Sequence, residues 1–435
     1  MTSAYQRMKD LLVSAEMARA YTMAVLLAVF ASQFVVRISG IVTFTAIITV
    51  LCGFGVAILV VRREELSLLR LAPTTLIAFL VWTLVSVLWS TEPAYTLRAW
   101  ASLLAFALLA ITIGHIRDTL QTVRAIGDVL RGLLALSLAL EIFSGILIDT
   151  PLPLLGIEGN LAAGGPVQGI FGSRNMLGFI AVIALITFVI EWRSRSVTRA
   201  VAVPSIALAT LLALFSASPT VAVLLTAVTL ATAVLALVRH TPENNRSNVQ
   251  WALGVIVVVG LAIAFVLRHS IIALLDAGSD FSIRADLWNA LLDYWDNRPV
   301  HGWGWFGPWP RGEYPFNAIN FVTDDQHRTA LNAYFDTLLQ VGALGFALFS
   351  AFAGVALVRS WLIASVRRSV VYAWTPLVLV ALAVESIFES FTLVGAGWFV
   401  LVLCALRAGQ SRSWRENIDA AQTGVIPTLK PGAAG

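Results

Sequence analysis

Charge is scarce in this chain. Only 12% of its 435 residues are Asp, Glu, Lys or Arg, and its mean hydropathy is +0.84. Globular, disordered and fibrous proteins all need more polar surface than this, so those classes are excluded. The two cysteines, Cys52 and Cys404, both fall inside apolar runs, which excludes a disulfide framework and a cysteine metal site. No stretch alternates between apolar and polar with period two, so a β-barrel is excluded as well. Lysine is reduced to two residues against 27 arginines, and that bias carries no functional information by itself.

What the chain does have is a succession of apolar runs. A bilayer core takes ~20 residues per helix, and such runs fall near 20–36, 41–61, 71–90, 96–113, 128–148, 176–191, 200–217, 219–238, 250–267, 336–358, 370–387 and 391–407. The reading is an all-α polytopic membrane protein with about 12 transmembrane helices. It divides into a cytoplasmic segment 1–19, one transmembrane domain 20–408, and a tail 409–435 whose small and polar residues predict disorder. The first run begins too late and is too long for a cleaved signal peptide. With both termini cytoplasmic, 21 of the 29 basic residues lie inside and every inner loop holds at least two. That is the positive-inside pattern of a plasma membrane protein. The net charge of +4 then reflects topology and points to no nucleic-acid partner.

Two outer segments break the pattern of short loops: 149–175 and the large extracytoplasmic loop 268–335, between helices nine and ten. No nucleotide is available on that side. A reaction there needs a substrate already activated, most simply on a lipid carrier. Within the long loop, Ser/Asp capping residues followed by Asn297–Pro299 predict a helix over 280–297. After it comes "RPVHGWGWFGPWP" (298–310), which holds Trp303, Trp305 and His301. Two readings fit it: an aromatic belt anchoring a turn, or a platform on which sugar rings stack. The first segment ends "GIFGSRNMLGFI", with Arg174 and Asn175 where a helix begins. Unpaired N–H groups at a helix start suit phosphate, and an arginine adds a bidentate clamp. An interfacial arginine snorkelling to lipid headgroups is the plain alternative.

Four blocks together resemble the O-antigen ligase and O-antigen polymerase superfamily of bacterial membrane proteins. They are "GIFGSRNMLG" (169–178), "LFSASP" (214–219), "SIRADLWNALLDYWDNRPVHGWGWFGPW" (282–309) and "LNAYFDTLLQVGALGFALF" (331–349), and they cover roughly residues 165 to 350. The resemblance implies metal-independent transfer of a glycan from an undecaprenyl-pyrophosphate-type carrier to an acceptor hydroxyl on a lipid or a glycan, with no cofactor. It implies that Arg174 and Arg284 bind the pyrophosphate and that a histidine activates the acceptor. Two departures stand out. The serine turn lacks its following arginine, reading Ala217, Ser218 and Pro219, and the expected His-Asn pair reads Leu331-Asn332. His327 would share a helix face with position 331 and could substitute for the missing histidine; His301 is the other candidate. Arg98 is a third candidate phosphate contact, and Asn175, Trp303, Trp305, Asn332 and Tyr334 are candidate substrate contacts. Displacement at the anomeric carbon, with arginines stabilising the leaving group and histidine as base, would invert configuration.

Three rivals remain. Lipid-phosphate-sugar transferases with a metal-holding Asp-x-Asp in the first outer loop are disfavoured, because that loop reads "VVRISGI". A transporter would show repeats and buried ionisable groups; Glu141, Glu385 and Glu389 lie in or near spans, but no repeat is visible. A non-catalytic scaffold is the third. Ligase and polymerase share the donor and are not separated by these motifs.

Overall fold

The computed structural model describes residues 12–63, 71–267 and 278–423. Among them the chain is all helical, apart from one isolated bridge between Leu152 and Ile157. In order the helices are α1 (Ala15–Phe30), α2 (Ser32–Val61), α3 (Thr74–Val85), α4 (Pro93–Ile116), α5 (Thr119–Ile142), α6 (Arg174–Arg193) and α7 (Arg199–Phe215). There follow α8 (Pro219–His240), α9 (Glu243–Val266), α10 (Gly278–Trp295), α11 (Phe316–Thr323), α12 (Ala333–Val366), α13 (Trp374–Phe388) and α14 (Gly395–Thr423).

Seven of these are long and apolar enough to cross a membrane, and three shorter ones, Thr74–Leu88, Arg199–Phe215 and Gly395–Gln410, are apolar too. The fold is that of an all-helical polytopic membrane protein. Its centre is built from α6, α13 and α14, whose runs Leu177–Ala184 and Phe399–Leu406 are buried all round. Lipid takes the place of water outside. Large apolar side chains such as Val42, Phe54, Leu88, Leu214, Leu230 and Val358 therefore stand exposed on outer faces.

Two glycines break what otherwise read as single helices. Gly40 has φ 82° inside α2. Around it the chain doubles back, so that Arg62 Nη2 reaches Val13 O and Tyr21 Oη reaches Leu51 O. The adjacent runs 20–36 and 41–61 are thus the two arms of a hairpin. Gly342 has φ 69° inside α12, splitting it into 333–341 and 343–366. In both places a residue with a Cβ would be strained.

The helix expected over 280–297 is α10. Its apolar residues Leu287 and Leu291 join Trp303, Phe306, Trp309, Phe316, Ile319 and Leu339 in a second small core, separate from the bundle. Two expectations need correction. First, residues 326–332 are not helical: α12 starts at Ala333, capped by Asn332, whose side chain accepts from Tyr334 N and Phe335 N. Leu331 before it has φ 49°. His327 and Leu331 therefore do not share a helix face. Second, the backbone of α14 stays helical to Thr423, through the first half of the tail expected to be disordered. Residues such as Arg415, Glu416, Ala420 and Ala421 are good helix formers, which is reason enough locally. The remaining expectations for 1–11, 64–70, 268–277 and 424–435 lie outside the described residues.

Candidate functional site

The sequence blocks meet at the ends of four helices. The approach to α6 is fixed first. Gly169 N donates to Glu141 Oε1 at 2.9 Å and Ile170 N to Ser137 Oγ at 3.4 Å, which ties this turn to α5. Gly172 follows in the left-handed region, and Ser173 caps α6 by accepting from Met176 N. Ser173 does the capping, and Asn175 in the first turn directs its side chain to neighbouring elements. Gly178 completes the arrangement. A Cβ there would collide with Val221 and press on Ser216, so only glycine lets α6 lie this close to the start of α8.

That close approach brings Ser218 to Asn175. Ser218 stands at the start of α8 but makes no capping bond; its hydroxyl donates to Asn175 Oδ1 at 2.7 Å. Asn175 Nδ2 in turn donates to Glu389 Oε1 at 2.6 Å. Glu389 ends α13, and Arg284 of α10 reaches the same oxygen, with Nη2 at 3.5 Å. Glu385 lies one turn earlier on α13, fully buried, with no hydrogen bond to either oxygen among the described residues. Burial holds the Glu389 carboxyl above the usual carboxylate range, against the Asn175 bond and the Arg284 charge. The result is a buried polar cluster of one guanidinium, two carboxylates, an amide and a hydroxyl, beside the start of α6 where Arg174 stands.

Asn332 and Tyr334 border this cluster without pointing into it. Asn332 Nδ2 donates to Ile387 O at 2.9 Å, and Tyr334 Oη to Ala383 O at 3.0 Å, so both dock α12 on α13. Their observed work is capping and packing.

The other expected site residues lie elsewhere. Trp305 is 1% exposed and belongs to the bundle core, its ring edge-on to Phe79 at 5.9 Å. Trp303 is 5% exposed, covered by Arg298 at 4.2 Å and by Tyr314. Neither ring presents an open face for a sugar, so of the two readings of this loop the packing role fits the geometry. His301 packs edge-on against Trp89, whose indole donates to the His301 carbonyl. His327 sits in the loop between α11 and α12, with Nε2 3.5 Å from Asp325 Oδ2. Burial lowers its pKa below the ordinary value, and Asp325 offsets part of the shift. Arg98 is exposed and turns back on its own helix, donating to Ala94 O.

Sequence reasoning thus named Arg284 and Asn175 in the cluster but gave Ser218 no role and treated Glu385 and Glu389 only as ionisable groups near a span. The available signal was the spacing in "VESIFES": two acids four residues apart share a helix face, at the end of an otherwise apolar run.

Among the described residues no three His, Cys, Asp or Glu side chains come together as a metal site would require. No family model matches the chain, and no curated protein matches it.

Proposed function

We propose that this protein transfers a glycan from an undecaprenyl-pyrophosphate-type lipid carrier to an acceptor hydroxyl at the outer face of a bacterial plasma membrane, as O-antigen ligases and polymerases do. The observation that carries this reading is convergence. Asn175, Ser218 and Arg284 come from three of the four blocks that resemble that superfamily, and all three reach one carboxylate, Glu389, directly or through Asn175. Asn332, from the fourth block, anchors two residues away on Ile387. Blocks that merely punctuate helices would have no reason to meet.

In this reading the chain crosses the membrane twelve times, with both termini cytoplasmic. The two arms around Gly40 count separately, and the segment of α12 after Gly342 is crossing ten. The cluster then faces outward, beneath the large loop. Arg284, with Arg174 at the start of α6, receives the pyrophosphate and stabilises charge as the leaving group departs. Guanidinium groups do this without a metal, and no cofactor is needed. Acceptor and membrane lipids approach from the outer leaflet. Transfer to a lipid anchor makes the protein a ligase; transfer to another repeat unit makes it a polymerase.

The test is deletion of the gene in its host, complemented by wild type or by Arg284→Ala. Surface glycans and carrier-linked lipids are then resolved on gels. Polymer accumulating on the carrier with bare anchors identifies a ligase, and single repeat units without long chains identify a polymerase. Arg284→Ala should fail to restore either, with transfer reduced by about 10²-fold or more. A glycan profile unchanged by deletion sinks the proposal and returns attention to transport, for which the buried pair Glu385 and Glu389 would be the coupling groups.

A further inference from the structure

The ion pair in this cluster is a loose one. Among the described residues Arg284 is ion-paired with Glu389, and Glu385 lies one turn before Glu389 on α13. The Arg284 contact with Glu389 spans 3.5 Å, whereas Asn175 grips the same oxygen at 2.6 Å. Glu385 sits behind, with Glu389 and Arg284 as the charges it experiences and no hydrogen bond to soften its burial. A buried carboxylate without a partner is expensive, and sites that retain one use it in binding or proton transfer.

Resting on the transfer reading above, we propose that Glu389 occupies Arg284 in place of the donor's pyrophosphate, surrenders it when the donor binds, and then accepts the proton of the attacking hydroxyl. Carboxylate and pyrophosphate compete for the same guanidinium fork. Pyrophosphate offers more charge and two oxygens in register, so it wins against a loose contact. Glu389 stays in place because Asn175, itself held by Ser218, keeps its bond. Once stripped of Arg284, the carboxylate is a stronger base, because the cation that favoured its charged form is gone.

The step balances. The acceptor oxygen forms a bond to the anomeric carbon while the bond from that carbon to the pyrophosphate oxygen breaks. The carrier pyrophosphate leaves with the electron pair, held by Arg284, and the hydroxyl proton passes to Glu389 and then to water. No histidine is required. The contacts of His301 are with Trp89, and those of His327 are with Asp325 and Asn320.

The experiment uses the full-length protein in detergent, as wild type, Glu389→Gln and Glu389→Asp, each checked for a single species by size exclusion. Inorganic pyrophosphate and then undecaprenyl pyrophosphate are titrated by calorimetry. Single-turnover transfer is measured at saturating lipid-linked glycan. Glu389→Gln keeps the shape and the Asn175 contact but removes the competing charge. It should bind both probes more tightly, by about tenfold, while transfer at saturation falls by about 10²-fold or more. Glu389→Asp should restore part of the transfer. A purely structural role would move stability and leave this opposition of binding and turnover absent. Pyrophosphate affinity unchanged or weakened in a well-behaved Glu389→Gln overturns the competition, and transfer at the wild-type rate overturns the proton acceptor. If wild type binds pyrophosphate but transfers nothing, the transfer reading and the proton step fall together, and tighter binding by Glu389→Gln would still establish the competition.

Discussion

The tryptophan loop 298–310 and the polar cluster at the end of α13 form an instructive pair. The loop is the most conspicuous stretch of the sequence, yet Gly302–Gly307, Trp309 and Pro310 are buried structure. Trp303 N and Gly304 N donate to Leu339 O and Gln340 O, and Ala343 N and Leu344 N donate back to Pro299 O and Val300 O. The Gln340 amide accepts from Phe306 N and Gly307 N and donates to Gly307 O and Asp336 Oδ1. Trp305 then roots the loop in the bundle, its backbone N–H donating to Ser86 Oγ. The cluster is assembled from scattered polar residues of four helices, Asn175 of α6, Ser218 before α8, Arg284 of α10, and Glu385 and Glu389 of α13. Aromatic abundance marked where the chain is held; the ends of helices, where polar side chains meet, marked where chemistry is available.

The sharpest way to break this contrast is at Gly342. Its φ of 69° excludes a β-branched residue, and a Cβ there would meet Val300 O. Gly342→Val should yield no monodisperse protein by size exclusion, since strain of about 1–3 kcal/mol adds to a direct clash and to broken loop bonds. A well-folded Gly342→Val would show that the loop is not keyed to α12.

Next in size is Trp305→Ala. Emptying this core position should cost about 3–5 kcal/mol and lower the melting temperature clearly. Protein that stays folded at reduced temperature should retain its pyrophosphate binding. If Trp305→Ala instead keeps its melting temperature and loses donor affinity, the loop contacts substrate after all.

The smallest effect concerns His327. Burial lowers its pKa in the folded chain, whereas the unfolded chain takes up a proton near pH ~6.5. The unfolded state thus binds more protons below that value. Stability is full above it and falls as pH drops through it. His327→Gln should flatten melting temperature against pH below ~6.5 and leave transfer unchanged. Lost transfer in that variant would restore the histidine as base.

Much of the fold was legible because hydropathy reports directly on burial in lipid. The helix α10 and the hairpin about residue 40 were readable from capping residues and from the interval between runs. Asn175 was readable as a polar residue at a helix start, and Arg284 through the resemblance of its block. What the sequence hid had physical causes. The break at Gly342 is invisible because glycine is tolerated inside apolar helices, and only the partner loop reveals that its φ is positive. The place of His327 was misjudged because Asn332, a strong capping residue, starts the helix later than the spacing suggested. Glu389 was underweighted because its partners Asn175 and Arg284 lie 214 and 105 positions away and only the packing of α6, α10 and α13 joins them.

The interlock between the loop and the broken α12 also sets an order of assembly. Residues 298–307 are synthesised before Leu339–Leu344, so their N–H and C=O groups wait without partners for seconds of synthesis at ~5–20 residues per second. During that interval the loop cannot fold, and three tryptophans and a phenylalanine stand open to any other apolar surface. The nascent protein is therefore most vulnerable to mispairing in the interval between making its most aromatic segment and making the helix that receives it.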